Sequence, residues 1–140
     1  MPEIPLQGAI YRLMGYKRFR PMHSSERIPR AYGEYEKEVM EVFSIIAESP
    51  ADIVHCNDNV NAAVTSPQLF ERFLLPYYND ATKILHKAGN LFEVHMDGKL
   101  RALKDLIAKM DIDIIEAFTP PPMRDLHVRE KRESWREKRY

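Results

Sequence analysis

The chain has 140 residues, with 21 basic and 21 acidic side chains and a single cysteine. A formal charge of zero gives no global attraction to nucleic acid or an anionic membrane, and no apolar run reaches the roughly 18 to 20 residues of a membrane span. With Cys56 alone there is no internal disulfide and no cysteine-rich zinc finger, so composition predicts one soluble, cytoplasmic domain that binds neither nucleic acid nor membrane.

In chain order, residues 6–14 (LQGAIYRLM) read as a strand, and residues 17–33, basic and broken by prolines, as a loop. Residues 34–48 carry Tyr35, Val39, Val42, Phe43 and Ile46 at helical spacing, and Ser49-Pro50 closes that helix. Residues 51–56 (ADIVHC) form a short apolar run of strand length. Ser66 reads as an N-cap with Pro67 at the first helical position. An apolar stripe from Leu69 to Leu85 follows, with a kink or split predicted at Pro76 and a cap at Gly89. LFEVHM is the next strand, residues 99–110 the next helix, and residues 112–119 (IDIIEAFT) a further strand ended by three prolines. The remainder, residues 126–140, is a charged tail or short helix beyond a domain of residues 1–125. Strands and helices thus alternate with short connections, the pattern of a parallel sheet with crossover helices. An open doubly wound sheet and part of a (β/α)₈ barrel both satisfy it.

Either architecture gathers functional groups at the carboxyl ends of the strands. His55, Asn57 and Asp58 end one strand, His95 and Asp97 end the next, and Glu116 falls late in the third. Glu93, His95 and Asp97 alternate, so they share one strand face, as at the polar mouth of a barrel. His95 with Asp97 fits three roles: a pair of metal ligands, an imidazole whose charge state Asp97 sets, or a strand end hydrogen-bonded to its loops. Only His55, Cys56, Asp58 and Glu116 could complete a metal site. The chain has no G-x-S-x-G turn and no glycine-rich phosphate loop. Lys17, Arg18, Arg20, Arg27 and Arg30 either steer an anion or form a solvated loop, and Tyr77 and Tyr78 suit core and rim.

The run S-P-x-x-F-x-x-F-x-x-P-Y, at Ser66, Pro67, Phe70, Phe73, Pro76 and Tyr77, resembles the uroporphyrinogen decarboxylase family, whose superfamily includes corrinoid and cobalamin-independent methyltransferases. GAIYRLMGY, HMDGKL and DIDIIEAFTPPP resemble further family segments in the same order. The resemblance implies a partial (β/α)₈ TIM barrel, roughly strands four to seven, and a cofactor-free carboxy-lyase that trims the acetate arms of a tetrapyrrole. By position, Tyr16 would contact the substrate, with Asp58 and Glu116 as rim groups toward it and His95 and Asp97 as catalytic or positioning residues. In the methyltransferase branch a His-x-Cys pair holds zinc; here Asp97 stands in the cysteine's place, and the alternative is a zinc-dependent corrinoid-type methyltransferase using His95 and Asp97. Half a barrel leaves two parallel edges and an inner face uncovered. A homo-oligomer or a complementing barrel half is therefore expected, and a non-catalytic partner subunit is the third alternative.

Overall fold

A computed structural model of the chain describes residues 27–139. Tyr16 and the strand predicted at residues 6–14 lie outside the described residues.

Helix α1 runs from Arg27 to Ala47 and so begins inside the segment predicted as a loop. Pro29 sits in its first turn, where backbone N–H groups have no partner within the helix and the ring removes no bond. Tertiary contacts hold the early turns. Tyr32 is buried, its hydroxyl donates to the Phe73 carbonyl at 2.7 Å, and its ring lies 4.8 Å from that of Phe73. Val39 and Phe43 face the core as their spacing predicts, whereas Val42 turns outward.

Strand β1 (Ile53–Cys56) leads to a helical segment in three parts: α2 (Pro67–Leu69), a π-helical turn (Phe70–Leu74) and α3 (Leu75–Ala88). Ser66 caps the start, its hydroxyl accepting from the Leu69 N–H at 3.3 Å. The split expected at Pro76 takes the form of the π turn. Proline offers no N–H to the Arg72 carbonyl, and the ladder widens so that the Leu75 N–H reaches the Phe70 carbonyl. Gly89 ends α3 at φ 87°, a left-handed conformation that glycine adopts without steric cost.

Strand β2 spans Leu91–His95. The helix predicted over residues 99–110 contracts to a 3₁₀ turn (Arg101–Leu103) and α4 (Lys104–Ile107). Of the apolar positions that mark this helix in the sequence, Leu100, Leu103 and Ile107 are nevertheless buried, and Leu106 is partly buried against the core. Strand β3 is also shorter than predicted, Ile114–Glu116, because Ala117 adopts φ 60° and breaks the extended run.

The three strands form a parallel sheet in the order β1-β2-β3. Val54, Cys56, Phe92, Val94 and Ile115 are buried on one face. There the Phe92 ring meets Phe43 of α1 at 5.4 Å and Tyr78 of α3 at 6.3 Å. Ile53, His55, Leu91, Glu93, His95, Ile114 and Glu116 share the opposite, half-open face. This mixed α/β arrangement is consistent with a segment of a TIM barrel. No described helix is long and apolar enough to cross a membrane.

The charged tail forms the short helix expected of it, α5 (Val128–Ser134), and then does more. Leu126 and Trp135 are buried, and the Trp135 indole N–H donates to the Lys104 carbonyl at 2.9 Å. Arg139 pairs with Ile114 in parallel, its N–H donating to the Asp113 carbonyl and its carbonyl accepting from the Ile115 N–H. The outer edge of β3, expected to be bare, is therefore partly covered by the chain's own tail.

A polar clamp secures α5. Arg101 donates to both Glu130 carboxylate oxygens, at 2.6 and 2.9 Å, and Glu130 also accepts from the His127 N–H. Asp125 accepts from the Leu100 and Arg101 N–H groups. The Arg101 guanidinium, and then the His127 N–H, hold the Glu130 carboxyl at about 2, below its ordinary value. A carboxyl lowered on folding stabilises the fold above its unfolded value and ceases to do so as pH falls through the folded one. The clamp is therefore expected to weaken between about pH 4.5 and pH 2. Trp135 fluorescence followed down that range should report the tail loosening, and Glu130→Gln should flatten this part of the profile. An unchanged profile in the variant would exclude the clamp as its source.

Candidate functional site

The half-open face of the sheet carries a row of imidazole–carboxylate pairs, set by strand register. His55 lies opposite Glu93 across β1 and β2, and His95 opposite Glu116 across β2 and β3. Paired residues on neighbouring strands project to the same side, so each histidine meets a carboxylate. His55 Nδ1 lies 2.6 Å from Glu93 Oε2, and His95 Nδ1 is hydrogen-bonded to Glu116 Oε2. The two imidazole rings are 6.5 Å apart and nearly perpendicular.

On its other side, His95 presents Nε2 to Asp97 Oδ1 at 3.8 Å. Asp97 is held in turn by Arg124: Nη2 donates to Oδ2 at 3.3 Å, and Nε donates to the Asp97 backbone carbonyl. Glu93, His95 and Asp97 therefore line up without serving one another equally. Glu93 belongs to His55, while His95 stands between Glu116 and Asp97. A carboxylate on Nδ1 fixes the ring's orientation and leaves Nε2 as the nitrogen able to exchange a proton with a ligand. These side chains remain between about a fifth and two-fifths exposed, so solvent screens the pairs and their value lies in positioning more than in stability.

Among the described residues, no group of three or more histidine, cysteine, aspartate or glutamate side chains is arranged to hold a metal. The alternative zinc pair, His95 and Asp97, has no third protein ligand there. Asp58, expected at the rim, is fully buried instead. Its Oδ2 accepts from the Cys56 thiol at 2.8 Å and from the Tyr78 hydroxyl at 3.1 Å, on the helix-covered side of the sheet. Burial, and then the Asp58 charge, push both the Cys56 thiol and the Tyr78 phenol well above their ordinary values. Tyr16 lies outside the described residues.

A cavity of about 390 Å³ adjoins the histidine row and is lined by Glu93, Ile114, Glu116, Phe118, Val128 and Lys131 among others. A larger groove of about 740 Å³ lies elsewhere, around His86, Lys109, Asp113 and Lys138. Asp113 immediately precedes β3, which places that groove at the amino end of the strand. Parallel α/β folds collect their ligands at the carboxyl ends, so the smaller cavity and the His95 cluster define the candidate site.

Sequence reasoning placed His95, Asp97 and Glu116 at one rim, and the structure brings them together. It missed the His55–Glu93 pair, Arg124 and Lys131. Strand register could have revealed the first. The other two come from segments beyond the proline run, and no local pattern ties them to β2 or β3.

The fold is mixed α/β, with a small parallel sheet whose polar groups gather at the carboxyl ends of its strands. The family model described as uroporphyrinogen decarboxylase (URO-D) matches residues 26–129, from the start of α1 into the first turn of α5. The chain belongs to the uroporphyrinogen decarboxylase family. No curated protein and no solved structure gives a significant match.

Proposed function

We propose that the chain works as part of a uroporphyrinogen decarboxylase-type lyase acting, without cofactor, on the acetate arms of a tetrapyrrole. In this reading its strands occupy roughly positions four to seven of the barrel. The observation that carries it is the placement of His95 at the carboxyl end of β2, tied through Nδ1 to Glu116 and facing Asp97 with Nε2. Decarboxylation of an acetate arm needs a proton on the pyrrole to accept the electrons freed as carbon dioxide leaves. A second proton then completes the methyl group while the first leaves the ring, restoring the aromatic pyrrole with one proton consumed overall. An imidazole that retains one orientation suits proton delivery, and Arg124 keeps the neighbouring carboxylate Asp97 in place. Tyr16 contacts the substrate in the same proposal, with Glu116 as the group that orients His95. The open face is completed by a second copy or a complementing barrel half.

The test is anaerobic incubation with reduced uroporphyrinogen, followed by separation of the products by carboxylate number. Carboxylate loss is expected, with specific activity rising with protein concentration if a second copy completes the site. His95→Ala should reduce turnover by about 10²–10⁴-fold, the usual contribution of a positioned general acid or base. Full activity in His95→Ala would remove the role assigned to it. An absence of carboxylate loss at every concentration, alone or with a complementing half, would overturn the proposal.

A further inference from the structure

The sheet carries a second imidazole–carboxylate pair that proton delivery by His95 alone does not use. His55, near the carboxyl end of β1, holds its Nδ1 2.6 Å from Glu93 Oε2, as His95 bonds Glu116 through the same ring nitrogen. Strand register repeats the arrangement one level further along the sheet. Glu93 and His95 are two residues apart on β2, and two residues of strand rise about 6.6 Å. The two rings accordingly lie 6.5 Å apart on one face. In each pair a carboxylate occupies Nδ1, which leaves Nε2 as the nitrogen that exchanges protons. Glu93 and Glu116 both border the 390 Å³ cavity, so the two pairs serve one space. Partly exposed pairs add little to stability, and stability does not account for two of them in a row.

We propose, resting on the decarboxylase reading, that His55 is a second catalytic acid, which protonates the methylene carbon once carbon dioxide has left, while His95 serves the pyrrole carbon. His95 first protonates the ring carbon beside the acetate arm. The bond between the arm's methylene and its carboxylate then breaks, carbon dioxide leaves, and the bonding pair forms an exocyclic double bond to the ring. The methylene carbon takes a proton from His55 Nε2, and the ring carbon returns its own to His95. One proton is consumed, and His55 ends the turnover without it. His55 is 23 % exposed, which gives water a route to restore that proton. The two reacting carbons are separated by a single ring carbon. A donor reach of about 3 Å on either side of them spans the 6.5 Å between the imidazoles.

The test measures turnover of uroporphyrinogen beside the exchange of isotopically labelled carbon dioxide into unreacted substrate, at a protein concentration that supports wild-type activity. His55→Gln retains an amide that donates to Glu93 but has no nitrogen that delivers a proton. Without the second acid the methylene species persists and recaptures carbon dioxide. Turnover by His55→Gln is therefore expected to fall by about 10²–10⁴-fold, with label entering the substrate faster than product forms. The wild type, which protonates the methylene promptly, should incorporate little label. His95→Ala should lose exchange and turnover together, because His95 acts before the carbon–carbon bond breaks. His55→Gly, with product formation partly restored by added imidazole, replaces the glutamine variant if that one does not fold. Undiminished turnover in His55→Gln, or an equal loss of exchange and turnover, would overturn the role of His55 and leave the decarboxylase reading standing. Wild-type protein that releases no carbon dioxide would remove both.

Discussion

Trp135→Ala is expected to lower the unfolding free energy by about 3–5 kcal/mol, the range for deleting a buried aromatic side chain. Trp135 is among the largest fully buried side chains. Its ring meets Phe118 edge-on at 6.2 Å, and its indole N–H satisfies the Lys104 carbonyl in α4. Truncation would therefore empty a large volume, remove one of the two donors to the Lys104 carbonyl, which keeps the Ala108 N–H, and release one side of the Phe118 ring. Trp135→Phe should recover most of the packing and retain a deficit of about 1 kcal/mol from the lost hydrogen bond. Urea unfolding of both variants checks this. A loss below about 1 kcal/mol for Trp135→Ala would mean that the tail is not integral to the fold. Because total stabilities run at about 5–15 kcal/mol, the expected loss is a large fraction of what holds the protein folded. It would also disturb Phe118, and with it a wall of the cavity beside the histidine row.

This dependence on the tail separates what could be read in the sequence from what could not. The strands around His55, His95 and Glu116 were legible because each is a short apolar run with turn signals beside it. The cap at Ser66 and the stop at Gly89 were legible because one residue decides each. Register then turned alternation into geometry: a polar residue at every second position of β2 meets partners at fixed offsets on β1 and β3. The errors share a different cause. Residues 27–33 read as a loop because proline and glycine disfavour a helix locally, and Tyr32 reverses that preference through contacts with Phe73, forty-one positions away. The tail read as a charged appendage because its apolar residues are few. Trp135, with Leu126, buries enough surface to dock it, and the Arg101–Glu130 clamp holds its helix in place. Long-range partners decided both cases, and no local window contains them.

Asp58 is the other residue whose meaning changed, and Asp58→Ala is expected to cost about 2–4 kcal/mol. A carboxylate with no exposure persists only when hydrogen bonds replace its water, and Tyr78 and Cys56 both donate to the same oxygen. Removing it takes from the Tyr78 hydroxyl its acceptor, and a buried donor left unsatisfied costs about 1–3 kcal/mol. Asp58→Asn should cost less, since its amide oxygen can still accept from Tyr78. Tyr78→Phe removes the donor instead and, combined with Asp58→Ala, should give a total smaller than the sum of the two single losses. Partners in one hydrogen-bond network show such coupling. Denaturant unfolding of the two single variants and the double variant measures that coupling directly. Strict additivity would mean that the Tyr78–Asp58 bond contributes little. If Asp58→Ala instead left stability intact and weakened binding of a tetrapyrrole, the residue would regain the substrate-facing role that its place after β1 first suggested. Its complete burial against α3 favours the structural outcome: Asp58 anchors the helix that carries Tyr78 to the strand that carries His55.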